Sequence, residues 1–343
     1  IDVKAEKGAY LAVQSFALPG ETVQQWYIVA DIKKNQSEII DLAYQCQSQD
    51  KFVKEIEKDI KRGSDKLIQL IASSDGLQST KDSKRDARHT SNVLFNIFRG
   101  GLPLGNYSVP KEDFLSYLKG ANREVWQSEK ERFENLDERV SIFSIKELVD
   151  QGSNPDLYRL TLEYLPFTYS RRHGDPSRPW NQFSINTRNE QDGSICYDYE
   201  GNWRDIFQNW EALAYSFPAF IEGMIFKFLN ASTFDGYNPY RVMRGGIDWE
   251  VIEEDDPWSY IGYWGDHQII YLLKFLEFSA HHYPGKLKHY FNQDLFVYAN
   301  VPYRIKPYED LLANPKDTID FDEAADNEIM EKYAVDFRVT GSY

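Results

Sequence analysis

With only two cysteines in 343 residues, Cys46 and Cys196, the chain has neither a disulfide framework nor a cysteine-based zinc site. No apolar run reaches the roughly 18 to 20 residues of a membrane span, and no basic segment followed by an apolar one opens the chain. Basic residues are in deficit, with 39 Lys plus Arg against 54 Asp plus Glu and a formal net charge of -15. Such a surface repels phosphate backbones and anionic lipid, so neither nucleic acid nor membrane is an expected partner, and a cytoplasmic protein is the expectation. No Gly-rich phosphate loop, Gly-x-Ser-x-Gly elbow or Cys–His nucleophile arrangement occurs. Asp266-His267, taken with His281 and His282, lacks the spacing of a metal site, and no metal is expected.

Aromatic residues, by contrast, are abundant: 23 Tyr and 8 Trp contribute to a content of 15%. Trp180, Trp203, Trp210, Trp249, Trp258 and Trp264 fall within one stretch, where their rings can cover sugar faces or fill a core.

Taken in order, Tyr10 to Leu18 and Val23 to Ile32 read as two strands around Pro19-Gly20. Helical periodicity begins at Ser37, and Ser64 is expected to cap a further short helix. Lys81 to Arg88 reads as a solvated linker or an exposed helix face. Helices are then expected over Pro110 to Leu118, Ala121 to Phe133 and, after Asn154-Pro155-Asp156, Leu157 to Leu165. A polar loop from Ser170 to Asn181 leads to a hairpin around Asp192-Gly193. Asp205 to Ser216, Pro218 to Asn230 and His267 to Ser279 follow as helices, the last apolar on nearly every face and so expected to be buried all round. The fold class expected is mainly α, a partial (α/α)6 toroid preceded by the end of a β domain. A start at Ile1 within a strand-like stretch suggests a piece of a longer protein.

Three clusters carry the chemistry. Arg204, Asp205, Gln208 and Asn209 recur along one side of a helix start, beside Trp203 and Trp210. Carboxylate and amide groups so arranged can hold vicinal hydroxyls while an indole covers the ring, although an Arg–Asp pair can equally pin a helix end. Asp248 and Glu250 flank Trp249 and open the most acidic run, making them candidates for the acid and the base of glycoside chemistry. Trp264, Asp266 and His267 stand at the mouth of the most apolar helix as further sugar contacts.

Arg204-Asp205-Ile206-Phe207-Gln208-Asn209, then Phe234-Asp235-Gly236, then Gly265-Asp266-His267 together resemble the motif order of the cellobiose and chitobiose phosphorylase family. The resemblance covers mostly residues 92 to 280. It implies a β-sandwich tail over 1–35, a helical linker over 36–90 and an (α/α)6-barrel portion over 91–343. It also implies inverting cleavage of a disaccharide or oligosaccharide without an organic cofactor, by water or by inorganic phosphate as co-substrate. Arg171, Arg172, His173 and Arg178 are the nearest concentrated cations for phosphate. Asn209 replaces the family's second Asp. The family's Asp-Trp-Asn-Asp segment, which carries its general acid, has no counterpart from Glu277 to Tyr343.

Overall fold

The computed structural model describes residues 11, 13–30, 34–74, 76–100, 102, 103, 105–168, 199–239, 241–249 and 268–333. They fall into two compact units, Ile1–Asp65 and Lys66–Tyr343.

In the first unit the described residues from 13 to 30 contain a turn and no strand. The Thr22 amide and hydroxyl both donate to the Pro19 carbonyl, at 3.3 and 2.7 Å, and Glu21 takes the left-handed φ of 63° that closes the turn. Leu11, Val13, Val23 and Ile28 flank it exposed, and they pair with no strand among the described residues. Helix α1 (Gln36–Gln45) starts at a reciprocal cap between Asn35 and Glu38 and buries no residue. Helix α2 (Gln49–Ser73) includes Gly63-Ser64, where a new helix was expected, and its residues from Lys66 on belong to the second unit. Ser64 does not cap: its hydroxyl donates back to the Ile60 carbonyl at 3.1 Å, the bond open to a serine inside a helix.

The second unit is mainly helical. Helix α3 (Ser83–Gly100) begins where Asp82 accepts from the Lys84 and Arg85 amides, so the charged stretch at 81–88 is an exposed helix start. Strand β1 (Leu102–Pro103) leads into β2 (Ser108–Pro110), α4 (Lys111–Ala121), α5 (Arg123–Glu129), a 3-10 turn at Lys130–Phe133, β3 (Arg139–Ser141), α6 (Ile142–Asp150), α7 (Pro155–Glu163) and β4 (Phe167–Thr168). The helix expected over 121–133 begins after Asn122, which leaves helical geometry with φ -156° and caps α5 at the Val125 amide, and it gives way to the 3-10 turn from Lys130 on. Asn154 caps α7 through the Asp156 and Leu157 amides, with Pro155 in the first turn.

Strand β2 pairs with β3, and β1 pairs antiparallel with β4, Leu102 against Thr168 and Pro103 against Phe167. The chain therefore leaves and rejoins the helical body through one short ribbon, with residues 105–166 as the excursion between. On either side of that excursion α3 packs directly against α8 (Trp203–Ser216).

Strand β5 (Glu200–Asn202) precedes α8; a 3-10 turn at Pro218–Phe220, α9 (Ile221–Asn230), β6 (Arg241–Met243) and β7 (Gly246–Asp248) follow it. Then come α10 (Gln268–His282), α11 (Lys286–Tyr290), β8 (Tyr303–Ile305), α12 (Tyr308–Ala313), β9 (Ile319–Phe321) and α13 (Glu323–Tyr333). On α8 the buried positions Trp203, Ile206, Phe207, Trp210, Leu213 and Ala214 recur at helical spacing. They join Phe114, Phe133, Phe167, Phe220, Met224 and Phe275 in one continuous core that spans the excursion and the body. Gly223 of α9 lies so close to α7 that a Cβ there would stand 2.2 Å from the Leu162 carbonyl oxygen.

Helix α10 corrects an expectation. Leu272, Phe275 and Ser279 are buried, but Ile269, Ile270 and Leu273 are more than half exposed, so the helix is not buried all round. No described helix is long and apolar enough to cross a membrane.

Candidate functional site

Strands β5, β6 and β7 form a three-stranded antiparallel sheet at the start of α8. Its register places Asn202 opposite Arg241, and Arg241 opposite Asp248. Adjacent strands lie about 4.8 Å apart, so Asp248 sits only about 10 Å across the sheet from the residue that leads into α8. Two of the three chemistry-bearing clusters are thereby brought to the same end of the sheet, on its two outer strands: the start of α8, with the backbone of Arg204, Asp205, Gln208 and Asn209, and the end of β7. The side chains of those four residues lie outside the description, as do Glu250, Trp264, Asp266, His267 and the loop cations Arg171, Arg172, His173 and Arg178.

Asp248 is part-buried, with its Oδ2 3.9 Å from an Arg241 guanidinium nitrogen. Its Oδ1 is enclosed and has no hydrogen-bond partner among the described residues. A carboxylate balanced by one cation at the edge of contact range, with one oxygen unsatisfied, retains capacity for a hydroxyl donor. Among the described residues no group of three His, Cys, Asp or Glu side chains is placed to hold a metal ion.

The tryptophans take another role. Trp249, expected as a sugar contact, is 3% exposed and stacks on Tyr303 at 5.6 Å in a second core with Tyr237, Val301 and Ile329. Trp203 and Trp210 are equally enclosed, edge to face with one another at 5.7 Å, and Trp203 stacks on Phe228. For these three rings burial outweighs display of their faces. Asp235 of the Phe234-Asp235-Gly236 step is also structural: it accepts from the Thr233 hydroxyl and, at 2.5 Å, from the Ile305 amide, tying a turn to β8.

The sequence reading missed a second polar group, at the turn joining β6 to β7. Arg244 donates from Nη2 to Asp113 Oδ2 of α4 at 2.5 Å, and the Tyr164 hydroxyl donates to the same oxygen at 2.5 Å. The Arg244 amide donates to the Tyr199 carbonyl at 3.0 Å, while its own carbonyl accepts from Lys227 Nζ at 3.5 Å. Lys227 is 7% exposed, and loss of solvation pushes its ammonium down to about 8 against the opposing pull of Glu163. Glu163 is also held, accepting from Asn230 at 2.5 Å and from Arg159 at 3.5 Å. One signal was available: Glu222 and Lys227 are charged positions inside the otherwise apolar run of α9, and both are buried. Glu222 accepts from Ser279 of α10 at 3.0 Å. The half-buried Lys146 is likewise pushed down to about 8 by desolvation, and its Nζ donates to the Ala219 carbonyl at 3.1 Å.

Residues 105–166 match the model of glycoside hydrolase family 149 insertion domain 1. The matched span coincides with the excursion closed at its base by β1 and β4. The match supports a carbohydrate-active enzyme family and does not single out the cellobiose and chitobiose phosphorylases. No curated protein matches the chain.

Proposed function

We propose that this chain is part of an enzyme acting on glycosidic bonds, a glycoside phosphorylase or an inverting glycosidase. Its sugar pocket would lie where β5, β6 and β7 meet the start of α8. The observation that carries this reading is the register row from Asn202 through Arg241 to Asp248, which joins a polar helix start to a part-buried carboxylate with an unsatisfied oxygen. Support comes also from the match of residues 105–166 to a domain of a glycoside hydrolase family. The adjacent packing of α3, α8, α9 and α10 is what part of an (α/α)6 toroid would supply.

In this reading Arg204, Asp205, Gln208, Asn209, Trp264, Asp266 and His267 contact the sugar, while Asp248 and Glu250 are the carboxylates to test for chemistry. An acid protonates the glycosidic oxygen as water or phosphate attacks the anomeric carbon from the opposite face. Arg172, His173 and Arg178 would meet the phosphate if phosphate is the nucleophile. No Asp-Trp-Asn-Asp segment follows α10 within these residues, so in this reading the general acid comes from outside them; the second reading is a non-catalytic sugar-binding or structural helical domain.

Titration calorimetry with gluco-configured disaccharides, paired with product assays with and without inorganic phosphate, separates these readings. Binding that is lost in Asp205→Ala, together with phosphate-dependent turnover, supports phosphorolysis. Binding without turnover by this chain fits an acid supplied from outside it, and the sugar-binding reading is favoured only if an extended protein also turns nothing over; a wild-type protein that binds no sugar contradicts the pocket and leaves a structural helical domain.

A further inference from the structure

Resting on that placement of the pocket, we infer that the excursion at 105–166 braces the site, and that Asp113 and Tyr164 are positioning residues for the hairpin carrying Asp248. Strands β6 and β7 are each three residues long, too short to hold their own orientation without outside contacts. The turn between them is Arg244-Gly245, and the structure pins Arg244 at three points. Its guanidinium reaches Asp113, its amide reaches the Tyr199 carbonyl, and its carbonyl receives Lys227.

Asp113 is itself fixed. It lies in the first turn of α4, whose start is tied to the segment before β3 by the Lys111 amide on the Glu138 carbonyl at 2.9 Å. The Lys111 ammonium adds a bond to the Leu136 carbonyl at 3.1 Å. Tyr164, 4% exposed and set edge to face against Phe114 at 5.2 Å, directs its hydroxyl at the same carboxylate oxygen that receives Arg244. A charge-assisted pair backed by a buried phenol is directional, so it fixes the tilt of a short hairpin as apolar packing alone does not.

The other end of that hairpin is Asp248, opposite Arg241. Among the described residues the Asp113 carboxylate bonds Arg244 and Tyr164, and in this inference it sets where the Asp248 row stands relative to α8. A displacement of about 1 Å at a reacting group can cost about 100-fold in rate, which gives a remote brace its functional weight.

The test compares Asp113→Asn, which keeps shape and removes charge, with Arg244→Lys and Asp248→Ala. Backbone hydrogen exchange is read over 241–248, with the helices of 111–163 as internal reference, and calorimetry is run against a panel of glucose disaccharides. The brace predicts about tenfold faster exchange at 241–248 in Asp113→Asn and Arg244→Lys and about tenfold weaker sugar binding, with α4 and α7 unchanged. Asp248→Ala should lose binding with exchange at the turn unchanged. Unchanged exchange in both brace variants overturns the brace. Faster exchange with wild-type affinity overturns the positioning role while leaving the pocket in place. An Asp248→Ala protein that binds like wild type, or a wild type that binds none of the panel, removes the pocket reading and this inference with it.

Discussion

Helices α9 and α10 look alike in sequence and behave differently in the fold. Helix α9 carries Glu222 and Lys227 yet is buried along nearly its whole length; α10 is apolar around most of its circumference yet leaves Ile269, Ile270 and Leu273 exposed. What distinguishes them is the neighbours. Helix α9 packs against α7 and α10, and its charges find Ser279, the Arg244 carbonyl and the Tyr199 ring, the last at 5.9 Å from Lys227. Burial therefore follows from what surrounds a helix, and a charge in an apolar stripe signals a polar partner more often than a surface.

The comparison predicts a graded set of effects. Trp210→Ala, at the centre of the core that α8 shares with α9 and α10, should cost about 3 to 5 kcal/mol in chemical denaturation. A cost near zero would mean the core is not continuous there.

Gly223→Ala should cost about 2 kcal/mol by overpacking against the Leu162 carbonyl, despite alanine's better helix propensity. Stabilisation instead would show that α9 does not press on α7 as closely as described.

The two buried charges of α9 should differ. Glu222→Ala strands the buried Ser279 hydroxyl and should cost about 1 to 3 kcal/mol, whereas Lys227→Met removes a poorly satisfied charge and should be neutral or stabilising by about 1 kcal/mol. Equal losses from both would mean that Lys227 contributes as a paired cation.

The pH dependence follows from the same lysine. With the folded value near 8 and the unfolded one near 10.5, the unfolded chain binds more protons between these limits, so stability rises with pH across that window. The slope approaches about 1.4 kcal/mol for each pH unit crossed, and below pH 8 this group contributes none. Burial raises Tyr107, Tyr158 and Tyr290, so ionisation of the unfolded chain above about pH 10 turns the curve down again. Lys146, also held at about 8, adds a rise over the same window, so thermal melts from pH 7 to 11 should show the rise and Lys227→Met should reduce it by about half. Smallest of all, Leu273→Ser on the exposed face of α10 should stay within about 0.5 kcal/mol.

Helix positions were legible where capping chemistry is local. Asn154-Pro155-Asp156 opened α7 as its residues require, and the stripe of α8 matched its burial. Ser64 was misread because a serine that caps and a serine that bonds back to the preceding turn look identical in sequence. Trp249 was misread as a sugar contact because an indole that stacks on a sugar and one that fills a core look the same in sequence, and only enclosure separates them. The convergence of Asn202, Arg241 and Asp248 was beyond reach, since strands of three residues give almost no periodic signal and their register depends on the turn at 244–245. The link from Asp113 to Arg244 spans 131 residues, a separation that local pattern cannot bridge.

The most direct test of the pocket is one calorimetric comparison of wild type with Asp248→Ala, using glucose disaccharides at constant pH and salt and matched by circular dichroism for folding. A carboxylate at the end of β7, with one oxygen unpartnered among the described residues and in the strand row that leads to α8, predicts measurable binding by wild type and none by the variant. Equal binding by two equally folded proteins would contradict the placement of the sugar at this end of the sheet.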